Sequence, residues 1–255
     1  ALATAISQFV SAILCMFHLM RVEEEYRLEL RMIRFDRHML KQIIQNGVPS
    51  GFQNSVIAIA NVFVQSNINA FGKMAMAGCG SYSKIEGFAF LPVTCFTMAL
   101  TTFVSQNLGA KQYDRAKKGA RFGVLCSIAI AELIGIIIYT AAPVLITAFN
   151  RDPDVVHYGV MQSRTIALFY CLLAFSHCIA AVLRGSGNAS VPMIVMLCDW
   201  CLFRVSYITV AVRIIPDIRV IFWAYPLTWS ISSVIFLFMF LRGKWVYGFE
   251  KTSQM

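Results

Sequence analysis

The chain has 255 residues, of which 58% are hydrophobic and 14% charged, with a mean hydropathy of +0.66. Soluble domains sit nearer about 45–50% apolar, so the composition excludes an ordinary soluble domain and implies a polytopic membrane protein. The formal charge of +9 raises a nucleic-acid partner, and the eight cysteines a disulfide framework. Neither reading survives a pass along the chain.

Ala1 to Met20 is apolar apart from Thr4, Ser7 and Gln8, and predicts a spanning helix. The chain begins inside this run, which is the expectation for a fragment whose upstream part is missing. From Arg21 to Gln45 the character changes: Glu23, Glu24, Glu25, Arg27, Arg31, Arg34, Arg37 and Lys41 alternate with Leu28, Leu30, Met32, Ile33, Phe35 and Met39. This pattern predicts an amphipathic helix on the membrane surface, its basic residues toward anionic headgroups, or equally a solvated linker helix. Gly47-Val48-Pro49 opens a second span, to about Phe71. Its Ser50, Asn54, Asn61 and Gln65 are spaced four, seven and four apart and share one helix face. Such a stripe faces protein or water rather than lipid, either joining helices or lining a polar cavity.

The third span, Ala77 to Ala110, organises the chain. It carries Lys84 and Glu86 near one end and Pro92 at its centre, and it stops at Gly109. An ionisable residue inside a membrane segment is expensive and reads as functional, and a central proline removes a backbone bond and kinks a helix. Asp114 starts the next element, and a fourth span from about Phe122 to Phe149 contains Glu132 and Pro143. Asn150-Arg151-Asp152-Pro153 is a turn with Asp152 as cap and Pro153 at the first helical position. The fifth span, to Leu183, carries Arg164, Tyr170 and His177. Pro192 starts a sixth with Asp199, Trp200 and Arg204, and Val220 to Leu241 is the seventh. Seven cysteines lie in apolar runs and act as small hydrophobes. Cys198-x-x-Cys201 has no second pair or histidine to make it a metal site.

Connections alternate between two sets. One holds Arg21 to Lys41, Lys111 to Arg121, Arg184 and the C-terminal tail, while the other holds only Lys73, Arg151, Arg213 and Arg219. The positive-inside rule makes the first set cytoplasmic, so the charge is a topology signal and not a nucleic-acid footprint. Ile6-Ser7-Gln8 in the first span is echoed by Ile231-Ser232-Ser233 in the last, as in a duplicated architecture.

Gly47-Val48-Pro49, Lys84-Ile85-Glu86, Pro92, Gln106-Asn107-Leu108-Gly109-Ala110 and Leu183-Arg184-Gly185-Ser186-Gly187 followed by Pro192 resemble, in order and spacing, the multidrug and toxic compound extrusion (MATE) family. The resemblance covers nearly the whole chain. It implies an all-α polytopic membrane protein with about seven transmembrane helices out of the twelve in the family's two parallel lobes. Residues 1–20 would be the last helix of the N-terminal lobe, 21–46 the cytoplasmic lobe linker, 47–243 a six-helix C-terminal transport lobe and 244–255 a cytoplasmic tail. The implied function is export of organic cations, drugs or metabolites across the plasma membrane in exchange for protons or sodium, with no other cofactor and no enzymatic step. The implied partners are a small-molecule substrate, the lipid bilayer and the N-terminal lobe.

The chain departs from the family in two places. The first helix of this lobe has Asn54, Asn61 and Gln65 but no acid, and the fourth has Arg164 where some members have Asp. The candidate substrate and ion pathway is therefore Asn54, Asn61, Gln65, Glu86, Arg164, Asp199 and Arg204, with Pro49, Gly87 and Pro92 as hinges. Asp199 and Arg204 are five apart, about 140° around a regular helix, so each is expected to partner another helix. A buried ion pair holding helices together is the structural alternative for each charge. Glu132 reads as a packing partner and His177 as an interior histidine. Other classes are weaker. A lipid-linked saccharide flippase would need a strongly cationic cavity, which Arg164 and Arg204 support and Glu86 and Asp199 oppose. A seven-helix receptor would need a proper start to the first span. No H-E-x-x-H, G-x-S-x-G or G-x-x-x-x-G-K-[ST] supports an enzyme or an ATPase.

Overall fold

The computed structural model describes residues 2–22, 27–30, 34–242 and 244–247. Among them there are helices and no strand: α1 Leu2–Arg21, α2 Arg37–Asn69, α3 Lys73–Gly109, α4 Tyr113–Thr147, α5 Pro153–Ile166, α6 Tyr170–Gly185, α7 Ser190–Met196, α8 Arg204–Ile214 and α9 Ile218–Leu241. Six segments have the length and hydropathy to cross a membrane: α1, α3, α4, the α5–α6 pair, the α7–α8 pair and α9. At 33 residues α2 has the length as well, but the polar residues already noted on it keep it out of that set. The chain is an all-α polytopic membrane protein.

The chain divides into two compact units, Ala1–Ile43 and Ile44–Met255. In the first, α1 has no buried residue. The amphipathic helix expected over Arg21–Gln45 is not formed as one element. Val22, residues 27–29 and residues 34–36 are non-helical, and Glu23, Glu24, Glu25, Arg31, Met32 and Ile33 lie outside the described residues. Asp36 starts α2 instead. Its Oδ1 accepts the His38 and Met39 amides at 2.8 and 2.9 Å, and these two bonds hold its carboxyl below the usual range. The helix then runs through Pro49, which therefore lies inside it rather than opening it.

In the second unit the α5–α6 span is central: 67% of its most apolar stretch is buried, against 22–39% for α3, α4, α7–α8 and α9. Small residues permit the close approach, as expected where lipid supplies no hydrophobic drive between helices. A Cβ on Gly78 of α3 would lie 2.5 Å from the Val155 carbonyl and 2.9 Å from the Gly159 nitrogen of α5. On Gly185 of α6 it would lie 2.7 Å from the Thr101 carbonyl of α3. The central span is broken by a 3₁₀ turn, Ala167–Phe169, which the Tyr170 amide closes by donating to the Ala167 carbonyl, and the next amide of α6, that of Cys171, needs a partner from outside the helix. Glu132 of α4 fills that need, its Oε2 accepting the Cys171 amide at 3.2 Å. The α7–α8 span is interrupted too, by a π-helical segment over Leu197–Phe203. Pro92 lies inside α3 and Pro226 inside α9.

Candidate functional site

The π-helical segment decides how the charges of the sixth span are presented. Single π turns inside helices recur at functional sites because they shift side-chain register without breaking the rod. Here the Arg204 amide donates to the Asp199 carbonyl, an i→i+5 bond. Residues five apart thus lie one above the other, and the 140° expected between Asp199 and Arg204 is corrected. Both face inward, at 3% and 0% exposure.

Arg204 Nη2 donates to Thr228 Oγ1 of α9 at 2.7 Å, while the Thr228 hydroxyl donates back to the Ala224 and Tyr225 carbonyls, each at 2.9 Å. The guanidinium lies over the Trp200 ring at 4.5 Å and the Tyr225 ring at 4.7 Å. Its Nε and Nη1 have no hydrogen-bond partner among the described residues. Asp199 lies beside Ser232, one turn beyond Thr228 on α9. The Ser232 hydroxyl donates to the Thr228 carbonyl at 2.8 Å, and among the described residues neither Asp199 oxygen meets a donor in hydrogen-bond geometry. Two faces of one seam are thus polar and incompletely satisfied, which is uncommon in a folded interior.

A cavity of about 200 Å³ opens beside this seam, lined by Asn61, Gln65, Ser83, Glu86, Phe90, Trp200, Arg204, Tyr225 and Trp229. Glu86 enters from α3, half-buried. One turn earlier on α3, Tyr82 is fully buried and its hydroxyl meets that of Tyr170 at 2.8 Å. Glu86 and Asp199 each lie within electrostatic reach of Arg204: two acids against one guanidinium. His177 stands edge-on to Trp200 at 5.5 Å and to Phe90 at 6.2 Å, which places it against the cavity wall, with Nε2 unpartnered.

Of the residues expected in a pathway, Asn61, Gln65, Glu86 and Arg204 meet at this cavity and Asp199 lies in the seam behind it. Asn54 is exposed and does not line it; Gln53, not Asn54, is the α2 side chain that turns inward, at 5% exposure. Arg164 lies elsewhere, in a cleft between α5 and α9. Of the hinge candidates, Pro49 and Pro92 are helix-interior and Gly87 has open space around it. The aromatic wall was not foreseen. Its signal was present in α9, where Tyr225, Thr228, Trp229 and Ser232 follow the i, i+3, i+4, i+7 spacing of one helix face.

The MatE family model matches residues 49–209. The chain is similar to a Thermotoga maritima protein named "Probable multidrug resistance protein NorM", 26% identical over 250 residues that cover 96% of this chain and 53% of that protein. It is also similar to a Shewanella oneidensis protein named "FAD transporter", 23% identical, covering 78% of this chain and 44% of that one. Among solved structures, that of a MATE protein in the bent conformation matches with a TM-score of 0.86 at 20% identity, over all of this chain and 56% of that one. The chain spans about half the length of the relatives it matches.

Proposed function

Because the chain belongs to the MATE family of membrane transporters, we propose that its second unit is one lobe of a secondary-active exporter, moving organic cations, drugs or metabolites outward as protons or sodium ions move inward. The observation that carries the reading is the Glu86 carboxylate at an aromatic-walled cavity inside the membrane spans, within electrostatic reach of Arg204, which Asp199 also reaches. Ionisable groups so placed mark ion and substrate pathways. With all three ionised, the negative charges outnumber the positive, which favours a cation. Trp200, Tyr225 and Trp229 offer ring faces that attract organic cations and stack on aromatic groups.

In this reading the lobe faces a second lobe across the cavity, and rocking of the two exposes the site alternately to each side. The coupling step is exchange at Glu86 between an ion and the substrate. The protein acts as a transporter and not an enzyme. It lies in the plasma membrane with the segments 21–46, 111–121 and 184–190 and the C-terminus in the cytoplasm, where the lysines and arginines concentrate. The flippase alternative needs a concentrated positive field, and Arg164 lies outside the cavity, leaving Arg204 as its one arginine opposite Glu86.

The test uses the complete gene product that contains this chain, in cells lacking their own drug pumps. Efflux of a cationic dye is followed with and without a proton uncoupler or external sodium, for wild type and Glu86→Gln. Ion-dependent efflux that is lost in the variant is the expected result. Efflux untouched by Glu86→Gln would remove the coupling role from this site, and absence of ion-dependent efflux for every dye would overturn the antiport reading.

A further inference from the structure

A second and larger cavity, of about 500 Å³, lies between α5 and α9 and has no part in the site above. Two arginines and a histidine line it: Arg164 and His157 of α5 and Arg219 of α9. Its apolar wall includes Phe169 and Trp223, edge-on at 5.9 Å. Among the described residues no carboxylate lines it. Asp152 and Asp217, which start the same two helices, are engaged as caps, accepting the Asp154 and Arg219 amides at 3.0 and 2.9 Å.

The cleft opens away from the core. On α5 the buried face is Val155, Gly159, Gln162, Ser163 and Ile166, whereas His157 and Arg164 are exposed. On α9, Trp223 is 47% exposed, and Tyr225, which lines the other cavity, lies two residues on, about 160° around the helix. If two lobes face each other across the Glu86 cavity, the opposite side of α9 meets lipid, so the inference rests on that reading. Arg164 is the twelfth residue of α5, about 17 Å along the span, and it shares the cleft with Arg219, the second residue of α9. The Arg164 guanidinium has the Tyr139 ring at 5.8 Å for company. A cation on a membrane span needs an anion or water.

We propose that this cleft binds an anionic phospholipid of the non-cytoplasmic leaflet. The phosphate lies between Arg219 and Arg164, where guanidinium forks match phosphate oxygens, and the upper acyl chains lie on Trp223 and Phe169. The occupant is a lipid and not a soluble phosphate because the cleft pairs its charges with an exposed tryptophan inside the span, the chemistry of a molecule with both a headgroup and a chain.

The complete gene product is reconstituted in vesicles, and quenching of tryptophan fluorescence by chain-brominated phosphatidylglycerol is compared with that by chain-brominated phosphatidylcholine. Wild type is expected to favour the anionic lipid by about thirtyfold, as two arginines near an anionic headgroup would give. The preference should fall in Arg164→Gln/Arg219→Gln, and in Arg219→Gln alone should the double variant fail to fold. It should persist in Lys117→Gln/Arg121→Gln at the other end of the bundle, and Trp223→Phe should remove part of the quenching. Equal quenching by both lipids, or a preference kept without the two arginines, overturns the proposal. So does displacement of the brominated lipid by soluble glycerol phosphate. If Trp223→Phe leaves quenching by both lipids unchanged, protein covers this face, which overturns the lobe arrangement as well. The readout is binding, so failure of efflux leaves it interpretable.

Discussion

The Arg204 amide donates to the carbonyl of Asp199, five residues earlier, and that one π-helical bond sets both side chains toward α9. A regular helix would bond Arg204 to Trp200 instead and turn one of the two charges away. The arrangement places Arg204 against Thr228 and Asp199 against Ser232, four residues apart on one face of α9. The two inward charges are thus held by one local irregularity and one neighbouring helix, so changes there should separate from changes at Glu86.

Thr228 is the single hydrogen-bond acceptor of the Arg204 guanidinium among the described residues. Thr228→Val keeps the shape and removes the oxygen, leaving a buried cation without that bond, and should lower stability by about 1.5–3 kcal/mol. Thr228→Ser should stay near wild type. Thermal unfolding of the two purified variants in one detergent checks the contrast; equal melting temperatures would mean the bond contributes nothing.

Tyr82 and Tyr170 share one hydrogen bond, 2.8 Å between their hydroxyls. Tyr82→Phe leaves the Tyr170 hydroxyl buried and unpaired, and should cost about 1–2 kcal/mol. Removing both hydroxyls in Tyr82→Phe/Tyr170→Phe should cost less than twice that, because neither hydroxyl is left without the other. Melting temperatures of the two singles and the double close the cycle, and strict additivity would deny the interaction.

Gly78 and Gly80 lie two apart on α3 but meet different surroundings. Gly78→Ala drives a methyl against the α5 backbone, which cannot swing aside as a side chain does, and should destabilise by about 1–3 kcal/mol. At Gly80 nothing lies within 4 Å. Gly80→Ala should be neutral or raise stability by up to about 1 kcal/mol through helix propensity. A reversed order in a thermal-shift series would show that α3 and α5 do not cross at Gly78.

Pro92 leaves the Phe88 carbonyl of α3 without its regular helical donor. Pro92→Ala restores that bond and stiffens the helix that carries Glu86. The melting temperature should hold or rise while dye efflux slows by about tenfold, the pattern of a lost hinge. Unchanged efflux would remove Pro92 from the transport cycle.

Much of this protein was legible before any folding was considered. Hydropathy marked six of the seven expected spans, Asp152-Pro153, Pro216-Asp217 and Gly109 marked ends of elements, and a carboxylate inside a span marked Glu86, because each depends on local chemistry that the chain carries with it. Tertiary structure decided which of these groups meet. Arg164 and Arg204 look alike in the sequence, yet one lines an outward cleft and the other is sealed between Trp200 and Tyr225. The polar residues of α2 share a stripe, yet Asn61 and Gln65 reach the cavity and Asn54 does not. A helical period tells which residues share a face but not what that face packs against. That choice is made by close approach at glycines such as Gly78 and Gly185, and by a π turn that shifts the register by one residue without leaving a trace in the pattern of apolar positions.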